Sequence, residues 1–259
     1  MTLTGKMSVL ALIGLLLSPG PVLAAAAEDA NAAVVAARDG KYEEAIDLFT
    51  RAINSDELGL ANRARAFGYR GIAKATTGDY EGAQLDLNSS VALDSDFNAD
   101  AYAYRGYMRL VLGRPKEAVA DLEKSAELLL WHYNVLWLHL ARLKAGVPDT
   151  GPRSLANNAI TLDVKRNQDG SPGLTRWPGA LVKFMQGAVT REAVAAAAQA
   201  GDPARLAERV CDVDFYLAEI DLARGDNAAA KTQFERAADK CPFASFERMG
   251  STAELMRLR

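Results

Sequence analysis

The chain has little of what catalysis and metal binding require. Only two histidines and two cysteines stand among its 259 residues. His132 and His139 are seven residues apart, which puts them on one helix face but ~10 Å apart along its axis, too far to share one metal ion. Neither has a Ser or Cys nucleophile beside it, so both read as packing or groove residues. No strand pattern is apparent, and therefore no glycine-rich loop follows a strand to cradle a phosphate. No basic run exceeds two residues and the formal net charge is −3, which argues against nucleic acid as a partner. Asp212, Asp214, Glu219 and Asp221 crowd one stretch, where a solvated helix face is the expected account. The sequence predicts no enzyme activity, no metal and no cofactor.

Long apolar runs are also lacking, apart from one near the N-terminus. Lys6 gives a basic start, residues 9–17 are apolar, Ser18, Pro19, Gly20 and Pro21 break any helix, and Val22, Leu23 and Ala24 end on a small residue. As a helix the apolar block rises only ~14 Å against a hydrocarbon core of roughly 30 Å. The pattern is that of a cleaved signal peptide over residues 1–24, with the mature chain beginning near Ala25 and residing in the periplasm; an uncleaved anchor or a buried first helix is the alternative. No Cys follows the apolar block, so lipid attachment there is not expected. Loss of Lys6 from the 30 basic residues leaves 29 against 33 acidic ones, a net charge near −4.

What the sequence does have is a repeated spacing. Gly40, Gly78, Gly113 and Gly225 serve as anchors. Seven residues earlier stand Ala33, Gly71, Gly106 and Ala218; five later, Ala45, Ala83, Ala118 and Ala230; nine later, Phe49, Leu87, Leu122 and Phe234; twelve later, Ala52, Ser90, Ser125 and Ala237. The physics is that of a helical hairpin. The anchor glycine accepts the left-handed conformation that ends a helix, the small residues sit where two backbones cross closely, and the Phe or Leu fills the gap to the next hairpin. One hairpin cannot bury its apolar face alone, so such units stack. Gly78 and Gly113 are 35 residues apart, close to the ~34-residue tetratricopeptide period. On these positions the sequence resembles the tetratricopeptide-repeat family. The resemblance implies an all-α solenoid of antiparallel helical hairpins, which we divide into an N-terminal array over 25–146, an irregular Pro/Gly-rich connection over 147–179 around a short helix at 153–164, and a C-terminal helical region over 180–259. Thr190 reads as the cap of an Ala-rich helix, and Asp202-Pro203 as the start of a long one.

Leu136-Trp137-Leu138-His139-Leu140-Ala141, Trp177-Pro178, Phe215-Tyr216-Leu217-Ala218-Glu219 and Ala253-Glu254-Leu255-Met256-Arg257-Leu258 resemble a narrower group, the NlpI-type periplasmic tetratricopeptide proteins. That resemblance implies an envelope scaffold, and a dimer, that brings peptidoglycan hydrolases to a processing protease; the lipid-bearing Cys of the best-known member is missing here. The expected partners are therefore envelope proteins or peptides, with a second copy of the chain as the alternative. In such arrays the first helices of successive hairpins line a groove, and counting from the anchors puts Ile72, Ala103, Tyr107, Leu110, Leu136, Leu140 and Leu143 there. The lining is apolar and aromatic, suited to a helix or an extended peptide, unless residues 147–179 or a second subunit cover it. The Lys and Asn with which cytosolic co-chaperones of this family clamp a carboxylate are absent at these places.

Cys211 lies fourteen residues before Gly225, and Cys241 follows the second helix of that hairpin. In an antiparallel hairpin the start of one helix lies beside the end of the next, so the two sulfurs come close. In an exported chain a disulfide follows, with two separately buried thiols as the alternative. Closing that loop would stabilise by roughly 3–4 kcal/mol in the chain-entropy picture.

Overall fold

The computed structural model of the protein describes residues 24–55, 57–93, 98–169 and 173–259. The expected leader over 1–24 lies outside them, apart from Ala24, where the first helix begins. Among the described residues there are thirteen α-helices and no strand: α1 (Ala24–Arg38), α2 (Tyr42–Asn54), α3 (Leu60–Thr76), α4 (Tyr80–Leu93), α5 (Ala99–Val111), α6 (Pro115–Leu128), α7 (His132–Ala145), α8 (Leu155–Asp169), α9 (Gly179–Met185), α10 (Arg191–Gln199), α11 (Leu206–Ala223), α12 (Asn227–Lys240) and α13 (Phe246–Arg257). None is long and apolar enough to cross a membrane. The chain divides into two compact units at the Met108–Arg109 step inside α5.

The repeated spacing becomes hairpin geometry. The four anchors have φ of 79°, 92°, 73° and 83° at Gly40, Gly78, Gly113 and Gly225, the left-handed region that favours glycine. The small positions five residues later, Ala45, Ala83, Ala118 and Ala230, are buried, and so are Phe49, Leu87, Leu122 and Phe234. At Gly71 a Cβ would stand 3.1 Å from the Ala83 carbonyl oxygen and 3.2 Å from Leu87 Cγ, so α3 and α4 cross as closely as glycine allows. Ser90, a small position of the same hairpin, donates its hydroxyl to the Ala64 carbonyl at 2.7 Å.

A second regularity, polar rather than apolar, runs through three of the four repeats. Four residues before the anchor and eight after it, one side chain reaches the other: Lys74 Nζ is 2.9 Å from Asp86, Arg109 donates to Asp121 at 2.6 Å, and Gln233 donates to Asp221 at 2.5 Å. In the last hairpin the acid has moved to the first helix. Asp86, Asp121 and Asp221 are buried while Lys74 and Arg109 are half-buried, so each pairing gives a buried carboxylate a partner on the facing helix, without which its burial would be costly.

In the first unit α1 pairs with α2, α3 with α4, and α2 packs on α3. In the second, α6 lies against α7, α11 against α12, and α13 covers both α11 and α12. The helix starts follow their local chemistry. Pro115 occupies the first turn of α6, where its missing N–H is no loss. Thr190, Asp226 and Ser245 accept the backbone N–H of Ala193, Ala229 and Arg248. Asp202 caps a short 3₁₀ turn at Pro203–Arg205 that leads into α11. The connection after α7 is more ordered than its composition suggests. Its helix, α8, is longer than the expected 153–164 and buries Leu155, Ala159 and Leu162. Asp149 holds the connection to α7, accepting from His139 Nδ1 at 2.6 Å, Arg142 at 2.6 Å and the Leu155 N–H at 3.2 Å.

Candidate functional site

The seven residues expected to line a groove do not form an open lining. Ile72, Ala103, Tyr107, Leu110, Leu136 and Leu140 are buried, and only Leu143 is substantially exposed, at 41%. Counting from the anchor picks the side of the first helix that turns inward. Of those seven, Tyr107 stands next to a different set of residues, which the first unit does present.

That set sits on the first helices of three successive hairpins. Arg38 ends α1, Arg65 and Tyr69 lie four residues apart on α3, and Asp100 and Tyr104 lie four apart on α5, with Tyr107 a turn further. Relative to their anchors, Arg65 and Asp100 hold one repeat position and Tyr69 and Tyr104 another. Arg38 and Arg65 are exposed, Tyr69 and Asp100 are half-buried, and Tyr104 and Tyr107 are buried. The Tyr104 and Tyr107 rings stand 6.5 Å apart, and the Tyr69 ring is 6.1 Å from Phe49.

The six side chains form one electrostatic group. Burial pushes the Asp100 carboxyl above the usual carboxylate range, and the Arg65 guanidinium pulls it partly back. Burial raises the Tyr69 hydroxyl, Asp100 adds to the rise, and Arg65 and Arg38 oppose it. Tyr104 lies well above an ordinary tyrosine, through burial first and then Asp100, Tyr69 and Tyr107. The Tyr69 and Tyr104 hydroxyls are therefore neutral across the physiological range. Neutral tyrosines offer a rigid ring with a hydrogen-bonding tip, and exposed arginines offer planar forks that match carboxylates. The face suits a polypeptide segment with at least one acidic group.

The second unit corrects the reading of the acidic stretch. Asp212, Asp214, Glu219 and Asp221 are all buried rather than solvated. Asp212 accepts from Tyr133 Oη and from Trp177 Nε1, each at 2.9 Å. Asp214 accepts from Arg236 at 2.6 Å, and Asp221 pairs with Arg191 as well as Gln233. Glu219 Oε2 lies 2.6 Å from Lys144 Nζ, which is also 2.9 Å from Glu254 Oε1. One lysine of α7 thus joins α11 to α13. Arg257 closes the group by donating to Glu254 and to the Val111 carbonyl, each at 2.5 Å. Burial raises Glu219 to about 7, with Glu254 adding to the rise and Lys144 opposing it. Burial alone would lower Lys144, but Glu219 and Glu254 outweigh it and hold the ammonium above its usual value.

Cys211 and Cys241 are joined in a disulfide with Cα atoms 5.0 Å apart, closing a span of 30 residues between α11 and the end of α12. The stretches singled out in α7 and α11 meet in one aromatic core, and Trp177 reaches Asp212 of α11 through its indole N–H. Trp137 stands 5.1 Å from Phe215 and 6.1 Å from Tyr216 between ring centroids, and the Trp177–Pro178 peptide is cis. The histidines serve packing. His132 bonds the Gly173 carbonyl at 2.5 Å and burial pulls its imidazole below the ordinary value, while His139 orients Asp149.

Comparison with known proteins fits this architecture. No family model matches the chain. RNA polymerase II-associated protein 3 of Xenopus laevis is 39% identical over 94 residues, which are 35% of this chain and 13% of that protein. Tetratricopeptide repeat protein 36 of Bos taurus is 34% identical over 99 residues, 37% of this chain and 50% of that protein. The chain thus spans half or less of the curated relatives it matches. A crystal structure of a tetratricopeptide repeat protein from Parabacteroides merdae ATCC 43184 superposes with a TM-score of 0.51 at 16% identity, over 87% of this chain and 84% of that one. The fold is the tetratricopeptide-type α-solenoid, an architecture that generally serves to bind other proteins.

Proposed function

We propose that the protein is an exported docking protein of the bacterial envelope, which holds a segment of a partner protein on the face of Arg38, Arg65, Tyr69 and Asp100, with Tyr104 and Tyr107 buried beneath it. The observation that carries this reading is the repetition of the face. The same two positions of successive hairpins supply Arg65 with Asp100, opposite in charge, and Tyr69 with Tyr104, so an exposed cation and a half-buried acid stand side by side along the first helices. Its role is binding rather than catalysis.

Export rests on the composition of residues 1–24 and on the joining of both cysteines, since disulfides persist in oxidising compartments. Kinship with the NlpI-type scaffolds rests on the stretches that converge on Trp137 and Phe215. On that kinship the clients are peptidoglycan hydrolases or a processing protease. The test is recovery of crosslinked partners from the native envelope by the full chain and by an Arg38→Glu/Arg65→Glu variant. Both arginines are exposed, so the variant keeps its helical circular dichroism. Partner adducts that vanish in the variant support the reading; adducts that persist unchanged count against it.

A second reading, self-association, is favoured by Ile160 and Val164. They lie one turn apart on α8 and are 62% and 44% exposed, and exposed apolar pairs of this kind are common at interfaces. Light scattering of the purified chain tests it: a dimer that Ile160→Glu dissociates supports self-association, and a monomer at all concentrations excludes it.

A further inference from the structure

Near the disulfide, three helices bring together a set of donors that a stacked hairpin does not require. Cys211 and Asp212 are neighbours on α11, Cys241 is the residue after α12, and Glu247 lies in the first turn of α13. All four are buried. Cys211 Sγ, a carboxylate oxygen of Asp212 and one of Glu247 lie within 4.8 Å of one another, and Cys241 Sγ is bonded to Cys211 Sγ. The geometry points to a zinc(II) site in the reduced chain, with Cys211, Cys241, Asp212 and Glu247 as its ligands.

The donor set suits the ion. Two thiolates and two carboxylates complete a tetrahedral zinc sphere and carry it to a net charge of −2, as four thiolates do in structural zinc sites. Bonds of ~2.3 Å to sulfur and ~2.1 Å to oxygen place neighbouring donors about 3.5–3.8 Å apart, so the carboxylate oxygens and Cys211, within 4.8 Å of one another, need to close by roughly 1.3 Å at most. The sulfurs must part from bonding distance to about 3.8 Å. The Cα atoms are 5.0 Å apart, and rotation about the two Cα–Cβ bonds separates the sulfurs and swings Cys241 Sγ toward the carboxylates. Asp212 is already oriented, because its Oδ2 accepts from Tyr133 and Trp177. Such outer partners fix a ligand's direction in metal sites.

The chemistry balances with a dithiol as reductant. The dithiol gives two electrons and two protons to the Cys211–Cys241 bond, which breaks into two thiols, and is itself oxidised to a disulfide. Zinc(II) then displaces the two thiol protons to solvent and forms two Zn–S bonds with no further electron transfer. The junction of α11, α12 and α13 is thereby held in either state, by a covalent bond when oxidised and by a metal when reduced.

The test uses the purified chain, oxidised or reduced with a water-soluble phosphine, exchanged into zinc and passed through a desalting column. Metal is measured by mass spectrometry, and cobalt(II) serves as an absorbing substitute. The reduced chain is expected to keep about one zinc and to show thiolate–cobalt charge transfer with the intense visible bands of a tetrahedral site. The oxidised chain is expected to keep none. Glu247→Gln and Asp212→Asn are expected to weaken zinc binding in the reduced chain at least roughly tenfold. The inference is overturned if the reduced chain retains no zinc, if both carboxylate variants bind as tightly as the original, or if the oxidised chain binds equally. A reduced chain that loses its helical signal and does not regain it on adding zinc overturns it as well.

Discussion

Lys144 is the residue whose removal tests the second unit most sharply. Its ammonium lies 2.6 Å from Glu219 and 2.9 Å from Glu254, and both carboxylates are buried. Lys144→Met keeps the length and apolar stem but leaves two buried acids with only Arg257, which reaches Glu254. Deleting one partner of a buried pair costs about 3–5 kcal/mol. Because the Lys144 side chain keeps 21% of its exposure, the low end applies. For a chain of this size about 3 kcal/mol corresponds to a fall of roughly 6–12 °C in melting temperature. The loss depends on pH with a definite sign. Glu219 titrates at about 7 when folded, above its ordinary 4.5. Its contribution to stability is complete below that ordinary value and is lost as pH rises through about 7. Removing Lys144 removes a charge that holds Glu219 down, so its pKa rises further and the penalty falls on neutral and alkaline solutions. Urea unfolding followed by circular dichroism at pH 5 and pH 8 measures this. The variant is expected to lie closer to the original at pH 5 than at pH 8, and Lys144→Met/Glu219→Gln to recover roughly half of the loss. An equal deficit at the two pH values, or a double variant no more stable than the single one, would refute the reasoning.

Further outcomes follow from the hairpins and the disulfide. Cys241→Ser opens a loop with a sequence separation of 30 and should cost about 3–4 kcal/mol in urea unfolding under oxidising conditions, and nothing beyond that under reduction without metal. Gly71→Ala places a methyl 3.1 Å from the Ala83 carbonyl oxygen and should lower stability by about 1–3 kcal/mol through overpacking. Gly78→Ala meets no atom within 4 Å but forces alanine to φ 92°, at a cost of about 1–2 kcal/mol. Gly78→Asn should recover part of that loss, since asparagine tolerates the left-handed region.

The hairpins were legible because their signal is local and repeats. A left-handed glycine, a small residue at each crossing and a Phe or Leu in each gap recur at fixed offsets, and the buried Ala83, Leu87, Phe234 and Ala237 are the physical form of that code. The caps at Thr190 and Asp202 were legible for the same reason. The acidic face of α11 was not. Whether an Asp is solvated or buried depends on what faces it, and the partners of Asp212, Glu219 and Asp221 come from Tyr133, Lys144 and Arg191. No spacing within α11 encodes those side chains. The proposed docking face was half legible. Counting from the anchors reached Tyr107, which lies buried beneath the face, and selected Ile72 and Leu140, which are buried as well. The available signal was the pair of repeated positions that supply Arg65 with Asp100 and Tyr69 with Tyr104.

Docking on the first helices of the first unit is tested most directly by a photo-reactive amino acid introduced singly into the full chain and irradiated in cells. Position 65 belongs to the proposed docking face, whereas Leu85 is 67% exposed on α4, the second helix of the same hairpin. The account predicts discrete protein adducts from position 65 and none from position 85. Adducts of the same size and yield from both positions, or from position 85 alone, would contradict it.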